Sequence, residues 1–166
     1  RAKGVPSQED VLALALAAEE LAREVYRRAV AARPFRGPWA AYLEAALAQE
    51  EEHARRLREA LGRQPALRFR LPEVFQSPIL LLRLLESLEE AFVGAYLGAL
   101  PLLEGEALRL AGAILGVEAG HRVLVRQARL ELQDPLLRPP FVANDRALEQ
   151  ALSPEGAREA LKPYLP

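Results

Sequence analysis

The sequence predicts an all-α fold, a bundle of four long helices in which two antiparallel hairpins are joined by one long crossover. Three observations carry that reading. Ala, Leu, Glu and Arg dominate the chain, and alternating runs of β-branched residues are missing, which favours helix over strand. Apolar residues recur at helical spacing through four long segments. Prolines and glycines separate those segments by a short break, a long break and a short break. A simple up-down-up-down bundle would have three short breaks instead.

The first helix is expected from Ser7 to about Arg33, with Ser7-Gln8-Glu9-Asp10 resembling a capping box. Arg33-Pro34-Phe35-Arg36-Gly37-Pro38 makes a short turn, and the second helix runs to Leu61, capped by Gly62. Arg63 to Ser77, with Pro65 and Pro72, forms the irregular crossover between helices 2 and 3. The third helix begins near Pro78, a residue suited to a first turn, and ends before Pro101. A turn from Leu102 to Gly105 leads into the fourth, which closes near Gln133-Asp134-Pro135. The bundle thus occupies residues 7–133. The proline-rich extension, residues 134–166, is expected to carry two short helices, Asp145 to Leu152 and Pro154 to Leu161.

A chain of 166 residues suits one domain with a substantial core. Its net charge of −1, with both signs interspersed, excludes the electrostatic footprint of a nucleic-acid-binding protein and of a polybasic membrane patch. No apolar run approaches the roughly 20 residues of a membrane span. The longest, Val11 to Ala18 and Ala91 to Leu103, are too short, and Pro101 interrupts the second. Cysteine is absent, which removes disulfides, thiolate catalysis and thiolate metal sites and leaves the compartment open, cytoplasmic or exported. A start at Arg1 with no methionine anywhere reads as a processed or trimmed N-terminus.

Certain glutamates fall on the wrong face. In the first helix Leu12, Ala15, Leu16, Ala22, Tyr26, Ala29 and Val30 form the apolar stripe, and Glu19 lies inside it, while Glu20 lies with Arg23, Glu24 and Arg27 on the polar side. In the second, Glu50 and His53 sit among Trp39, Tyr42, Leu43, Ala46, Ala54 and Leu57, with Glu51 and Glu52 pointing outward. In the third, Glu89 is enclosed by Leu82, Leu85, Phe92, Val93, Tyr96 and Leu100, and Glu90 faces solvent. In the fourth, Glu118 and His121 lie among Ala111, Ile114, Leu115, Val125 and Ala128.

Burying four unpaired carboxylates together is prohibitive, since even one buried ion costs on the order of several kcal/mol. Two divalent cations would neutralise them. A Glu-x-x-His pair sets both side chains one turn apart on one face, aimed at one ion. Measured from the two short turns, all six side chains reach the same level of the bundle at about 1.5 Å rise per residue. The pattern also repeats. Glu19 with Tyr26 recurs as Glu89 with Tyr96, and Glu50-x-x-His53 recurs as Glu118-x-x-His121, so the hairpins look like duplicated half-sites. These six residues include both histidines of the chain. Two glycine rows, Gly94 and Gly98 in the third helix and Gly112, Gly116 and Gly120 in the fourth, suggest close helix–helix approach; a homodimer contact or a substrate path is the alternative.

The segments ALAAEELAREVY, EEEHARRL, SLEEAFVGAYLGA and AILGVEAGHRV, spread over Asp10 to about Arg129, resemble the ferritin-like superfamily of dimetal-carboxylate bundles, and within it the bacterial group that includes desiccation-related proteins. The resemblance implies Glu19 and Glu89 as terminal metal ligands, Glu50 and Glu118 as bridging ligands, and His53 and His121 as their imidazole partners. It also implies a catalytic role for Tyr26, and for Tyr96 by repetition, beside the metal ligands, as hydrogen-bond donors to a ligand or as electron donors. The implied cofactor is a pair of transition-metal ions, iron first and manganese second, acting on O2, H2O2 or Fe(II) in stress protection. A metal-stabilised structural protein with little turnover is the alternative. Without methionine the chain lacks the ligand for an inter-subunit haem, and without cysteine it lacks a rubredoxin-like module.

Overall fold

The structure, a computed structural model, describes residues 4–166. Five α-helices and no strand occur among the described residues: α1 (Gln8–Ala32), α2 (Pro38–Leu61), α3 (Pro78–Ala99), α4 (Gly105–Glu131) and α5 (Pro154–Leu161). Local chemistry sets the ends. The Ser7 hydroxyl accepts the Asp10 N–H at 3.1 Å, and the Asp10 carboxylate accepts the Ser7 N–H at 3.1 Å, completing a capping box at the start of α1. Gly62, at φ 73°, closes α2 by donating its N–H to the Arg58 carbonyl. Pro78 occupies the first turn of α3 behind the Ser77 cap, and α3 runs into a 3₁₀ turn, Leu100–Leu102.

The tightest packing lies within the hairpins α1/α2 and α3/α4, which face each other through α1 against α3 and α2 against α4. The buried apolar residues form two clusters. One, around Leu21, Val25, Leu85, Phe92 and Val125, fills the end holding the α1/α2 turn. The other, around Leu12, Leu16, Leu57, Tyr96 and Ile114, fills the end holding the α3/α4 turn. A polar layer separates them.

Three expectations are corrected, the third concerning the glycine rows. Glu20 is buried, because Arg58 of α2 reaches across to it and Arg23 pairs with it at 2.7 Å. A salt bridge to the neighbouring helix turns a residue of the polar stripe inward. The helix expected over Asp145 to Leu152 does not form. That stretch is instead drawn out along α4 and α3: Arg122 donates to Asp145 at 2.9 Å, Arg126 to the Ala143 carbonyl at 2.9 Å, and Arg146 to Glu90. The Leu152 N–H donates to the Gly94 carbonyl at 2.8 Å.

Gly94 and Gly98 make that docking fit. A Cβ on Gly98 would overlap the Leu152 carbonyl, and one on Gly94 would stand 3.0 Å from the Gln150 oxygen. The third helix's glycines therefore receive an extended main chain rather than another helix. Gly112, Gly116 and Gly120 line an exposed face of α4, where an added Cβ would meet nothing within 4 Å. After Leu152 the tail places α5 across α1 and α3, and the Arg70 N–H donates to the Tyr164 carbonyl at 2.7 Å, tying the tail to the crossover.

The tail is anchored where it leaves α4. Asp134, 4% exposed, accepts from Arg83 at 2.5 and 3.0 Å, from Arg129 at 2.7 Å and from the Leu136 N–H at 3.0 Å. The Arg83 guanidinium, aided by Leu136 and Arg129, holds its carboxyl well below the usual range against the opposing effect of burial. A depressed folded-state pKa contributes stability above pH 3.8 that is lost as pH falls. Asp134→Asn is expected to cost about 2 kcal/mol at neutral pH and to flatten acid destabilisation below about pH 4, as measured by urea unfolding across pH.

Candidate metal centre

The polar layer consists of the side chains singled out by their place in the apolar stripes. Glu19 comes from α1, Glu50 and His53 from α2, Glu89 from α3, and Glu118 and His121 from α4; the four carboxylates are at most 1% exposed, and the histidines 7% and 2%. Each position lies between the two apolar clusters, so the helical period that turns leucines inward there turns these residues inward too.

The structure brings all six together. One group of four, Glu19, Glu50, His53 and Glu118, offers ligand atoms that all lie within 4.8 Å of one another; so does a second, Glu50, Glu89, Glu118 and His121. Glu50 and Glu118 belong to both. His53 Nδ1 stands 3.0 Å from Glu118 Oε1, 3.2 Å from Glu50 Oε2 and 3.3 Å from Glu19 Oε2. His121 Nδ1 stands 3.1 Å from Glu50 Oε1, 3.4 Å from Glu89 Oε1 and 3.6 Å from Glu118 Oε2. Both imidazoles thus aim Nδ1 at the centre. The outer nitrogen of His121 meets the Gln49 side-chain oxygen at 2.6 Å, which places a proton on Nε2 and leaves Nδ1 as the atom turned to the carboxylates.

The tyrosines cross over. Tyr26 of α1 donates to Glu89 of α3 at 2.6 Å, and Tyr96 of α3 donates to Glu19 of α1. This reciprocity is what an approximate twofold between the hairpins requires. The halves then differ. Tyr42 stands 2.7 Å from the Tyr26 hydroxyl and donates to it, since Tyr26 spends its own proton on Glu89. Trp39 packs edge-on against Tyr42 with ring centroids 6.2 Å apart, and its indole N–H reaches Glu131 near the surface. Gln49 and the pairing of Tyr42 with Tyr26 were not singled out in the sequence, because Gln49 lies on an exposed stripe and Tyr42 reads as an ordinary core aromatic.

The donor set fits metal ions and fits protein alone poorly. Apart from the imidazole–carboxylate contacts just given, Glu19 Oε2, Glu50 Oε1, Glu89 Oε2, both oxygens of Glu118 and His121 Nδ1 are buried without a hydrogen-bond partner. Buried polar atoms are almost always partnered, and these orphans converge on one small volume. Two divalent cations supply four positive charges against four carboxylates. Without them, protons must do the work. Burial, then the charges of Glu118 and Glu50, pushes Glu19 well up, and burial with Glu118 raises Glu89 to about 8. Burial opposes protonation of His53, but hydrogen bonds to Glu118, Glu19 and Glu50 outweigh it and push the imidazole up to about 12; His121 is raised likewise. Burial also acts to raise Glu50, but hydrogen bonds from His121 and His53 outweigh it and hold its carboxyl below the usual value.

Groups with raised folded-state pKa values stabilise the fold while protonated and lose that contribution as pH rises. For Glu89 the loss runs from 4.5 to about 8, and for His53 from 6.5 towards about 12. Glu50 works oppositely, but only below its ordinary value of 4.5. The metal-free chain is therefore expected to melt at steadily lower temperature between about pH 5 and pH 8. A rising or flat melting temperature over that range, followed by circular dichroism, would count against this charge arrangement.

No functionally described protein matches the chain in sequence comparison. A family model does: the ferritin-like domain matches residues 7–131, from the cap of α1 to the last residue of α4. The match spans every helix that contributes to the polar layer, and the chain belongs to the ferritin-like domain family.

Proposed function

We propose that this chain is a dimetal-carboxylate oxidoreductase, holding iron most readily and manganese second, that handles O2, H2O2 or Fe(II) in stress protection. The observation carrying this reading is the pair of four-residue groups sharing Glu50 and Glu118, with their unpartnered oxygens. Glu19 and His53 would hold one ion, Glu89 and His121 the other, and Glu50 and Glu118 would bridge them. Mixed carboxylate and imidazole donors suit iron and manganese. A bound pair supplies adjacent redox-active ions for two-electron chemistry on oxygen or peroxide.

The chain's own residues do the rest. Gln49 sets the His121 tautomer. Tyr26 and Tyr96 place protons at Glu89 and Glu19, and burial keeps both phenols protonated. Trp39, Tyr42 and Tyr26 give an electron a stepwise aromatic path from near the surface to a ligand carboxylate on one side of the centre only. The apolar clusters above and below exclude water from it.

The alternative, a metal-stabilised structural protein, draws on the burial of the carboxylates, three of which have no exposure at all. Anaerobic loading with Fe(II), followed by stopped-flow addition of O2 or H2O2, separates the two. Oxidation followed by re-reduction with added ascorbate over repeated cycles is expected, with re-reduction slowed about tenfold in Tyr26→Phe. Loading that raises the melting temperature yet gives no redox cycle would overturn the enzymatic reading in favour of the structural one.

A further inference from the structure

The approximate twofold that relates the hairpins is obeyed by the six inward side chains but not by what stands behind them. In the repeat that carries Glu50 onto Glu118 and His53 onto His121, Gln49 falls on Val117 and Tyr42 falls on Leu110. Behind His121, the Gln49 oxygen accepts from Nε2 at 2.6 Å. Two phenol rings also flank the imidazole, Tyr26 with ring centroids 5.8 Å apart and Tyr42 with centroids 6.0 Å apart. The His121 ring is thus held at its outer edge and packed on two sides.

The other half lacks these supports. Val117 is a half-buried hydrocarbon side chain that cannot accept a hydrogen bond, and Leu110 supplies no ring. Among the described residues, no protein group bonds the outer nitrogen of His53, and that edge of the ring meets solvent. The His53 side chain is 9% exposed against 3% for His121. A ligating imidazole is oriented, and made a better donor, when its other N–H is held by a fixed acceptor; loss of such a partner costs roughly 10- to 100-fold in metal affinity. Water can accept the outer proton of His53 but does not hold the ring in place. The carboxylates offer no compensating difference. Glu50 and Glu118 belong to both groups of four, and Glu19 and Glu89 each accept from one tyrosine.

We infer that the two metal positions are unequal and that Gln49 makes them so: the position built on Glu89 and His121 fills first and keeps its ion, whereas the one built on Glu19 and His53 fills last and releases its ion first. The inference rests on the dimetal reading of the centre and adds to it which position exchanges. Gln49 acts as a positioning residue, because it holds the ligand ring and stands outside both groups of four.

Anaerobic titration of the metal-free full chain with Co(II), read by calorimetry and by visible absorption, tests this without any turnover. Two binding steps separated by about tenfold or more in affinity are expected. His53→Ala should remove the weaker step and keep about one tightly held ion per chain, whereas His121→Ala should remove the tighter step. Gln49→Val, which copies the residue of the other half, should weaken the tighter step about tenfold and leave the weaker one in place. Val117→Gln offers His53 an acceptor and should tighten the weaker step, a gain that a merely structural role for Gln49 would not produce. Unchanged melting temperatures of these two metal-free variants show that each still folds. Two equal steps in the unaltered chain, or a tight step that survives Gln49→Val undiminished, overturn the inference and leave the dimetal reading standing. A tight ion that persists in His121→Ala and is lost in His53→Ala overturns it as well. A chain that takes up no Co(II) defeats the dimetal reading and this inference together.

Discussion

Four glutamate side chains with almost no solvent exposure meet at one level of this bundle, and the rest of the structure is arranged around that concentration of charge. Carboxylates in an apolar interior are tolerable only when neutralised, by protons or by cations. The metal-free chain shows the proton solution, with Glu19 and Glu89 pushed up and both imidazoles pushed up beside them. Apart from their imidazole contacts, five carboxylate oxygens of the layer are buried without a hydrogen-bond partner, and a pair of cations would satisfy them together. Metal binding would displace those protons, so affinity for the ions and the protonation of the centre are one equilibrium.

The bundle's twofold character follows from the same constraint. Each hairpin supplies a lone glutamate, a Glu-x-x-His pair and a tyrosine, and each tyrosine serves the other hairpin's lone glutamate. Apolar clusters shared by both hairpins hold them together on either side of the layer, and this exchange ties them within it. The symmetry is broken around it. Tyr42 and Trp39 extend one tyrosine towards the surface, whereas Tyr96 borders an apolar pocket between α1, α3 and α5.

The four helices, their ends and the inward glutamates were legible in the sequence because they depend on local rules: caps, breakers and a 3.6-residue period. Glu19 and Glu89 betrayed themselves by falling among leucines. Residues whose burial depends on a distant partner were not legible. Glu20 is drawn in by Arg58 of another helix, and Arg122, 1% exposed, is covered by a tail that pairs with it through Asp145. The stretch from Asp145 to Leu152 has helical composition, yet its main chain hydrogen-bonds to Gly94 and its charged groups bind α3 and α4. Tertiary contacts there outweigh an intrinsic preference worth only tenths of a kcal/mol per residue. The third helix's glycine row signalled close approach correctly but could not say that an extended strand of chain, not a helix, would approach.

Metal content per chain, measured by elemental mass spectrometry on untagged protein grown in rich medium, tests the central claim most directly. About two iron or manganese ions per chain are expected, falling towards zero in Glu118→Ala and in His121→Ala. A chain that holds no transition metal, even after anaerobic reconstitution with Fe(II) and Mn(II), would contradict the claim and leave the four buried glutamates to be neutralised by protons alone.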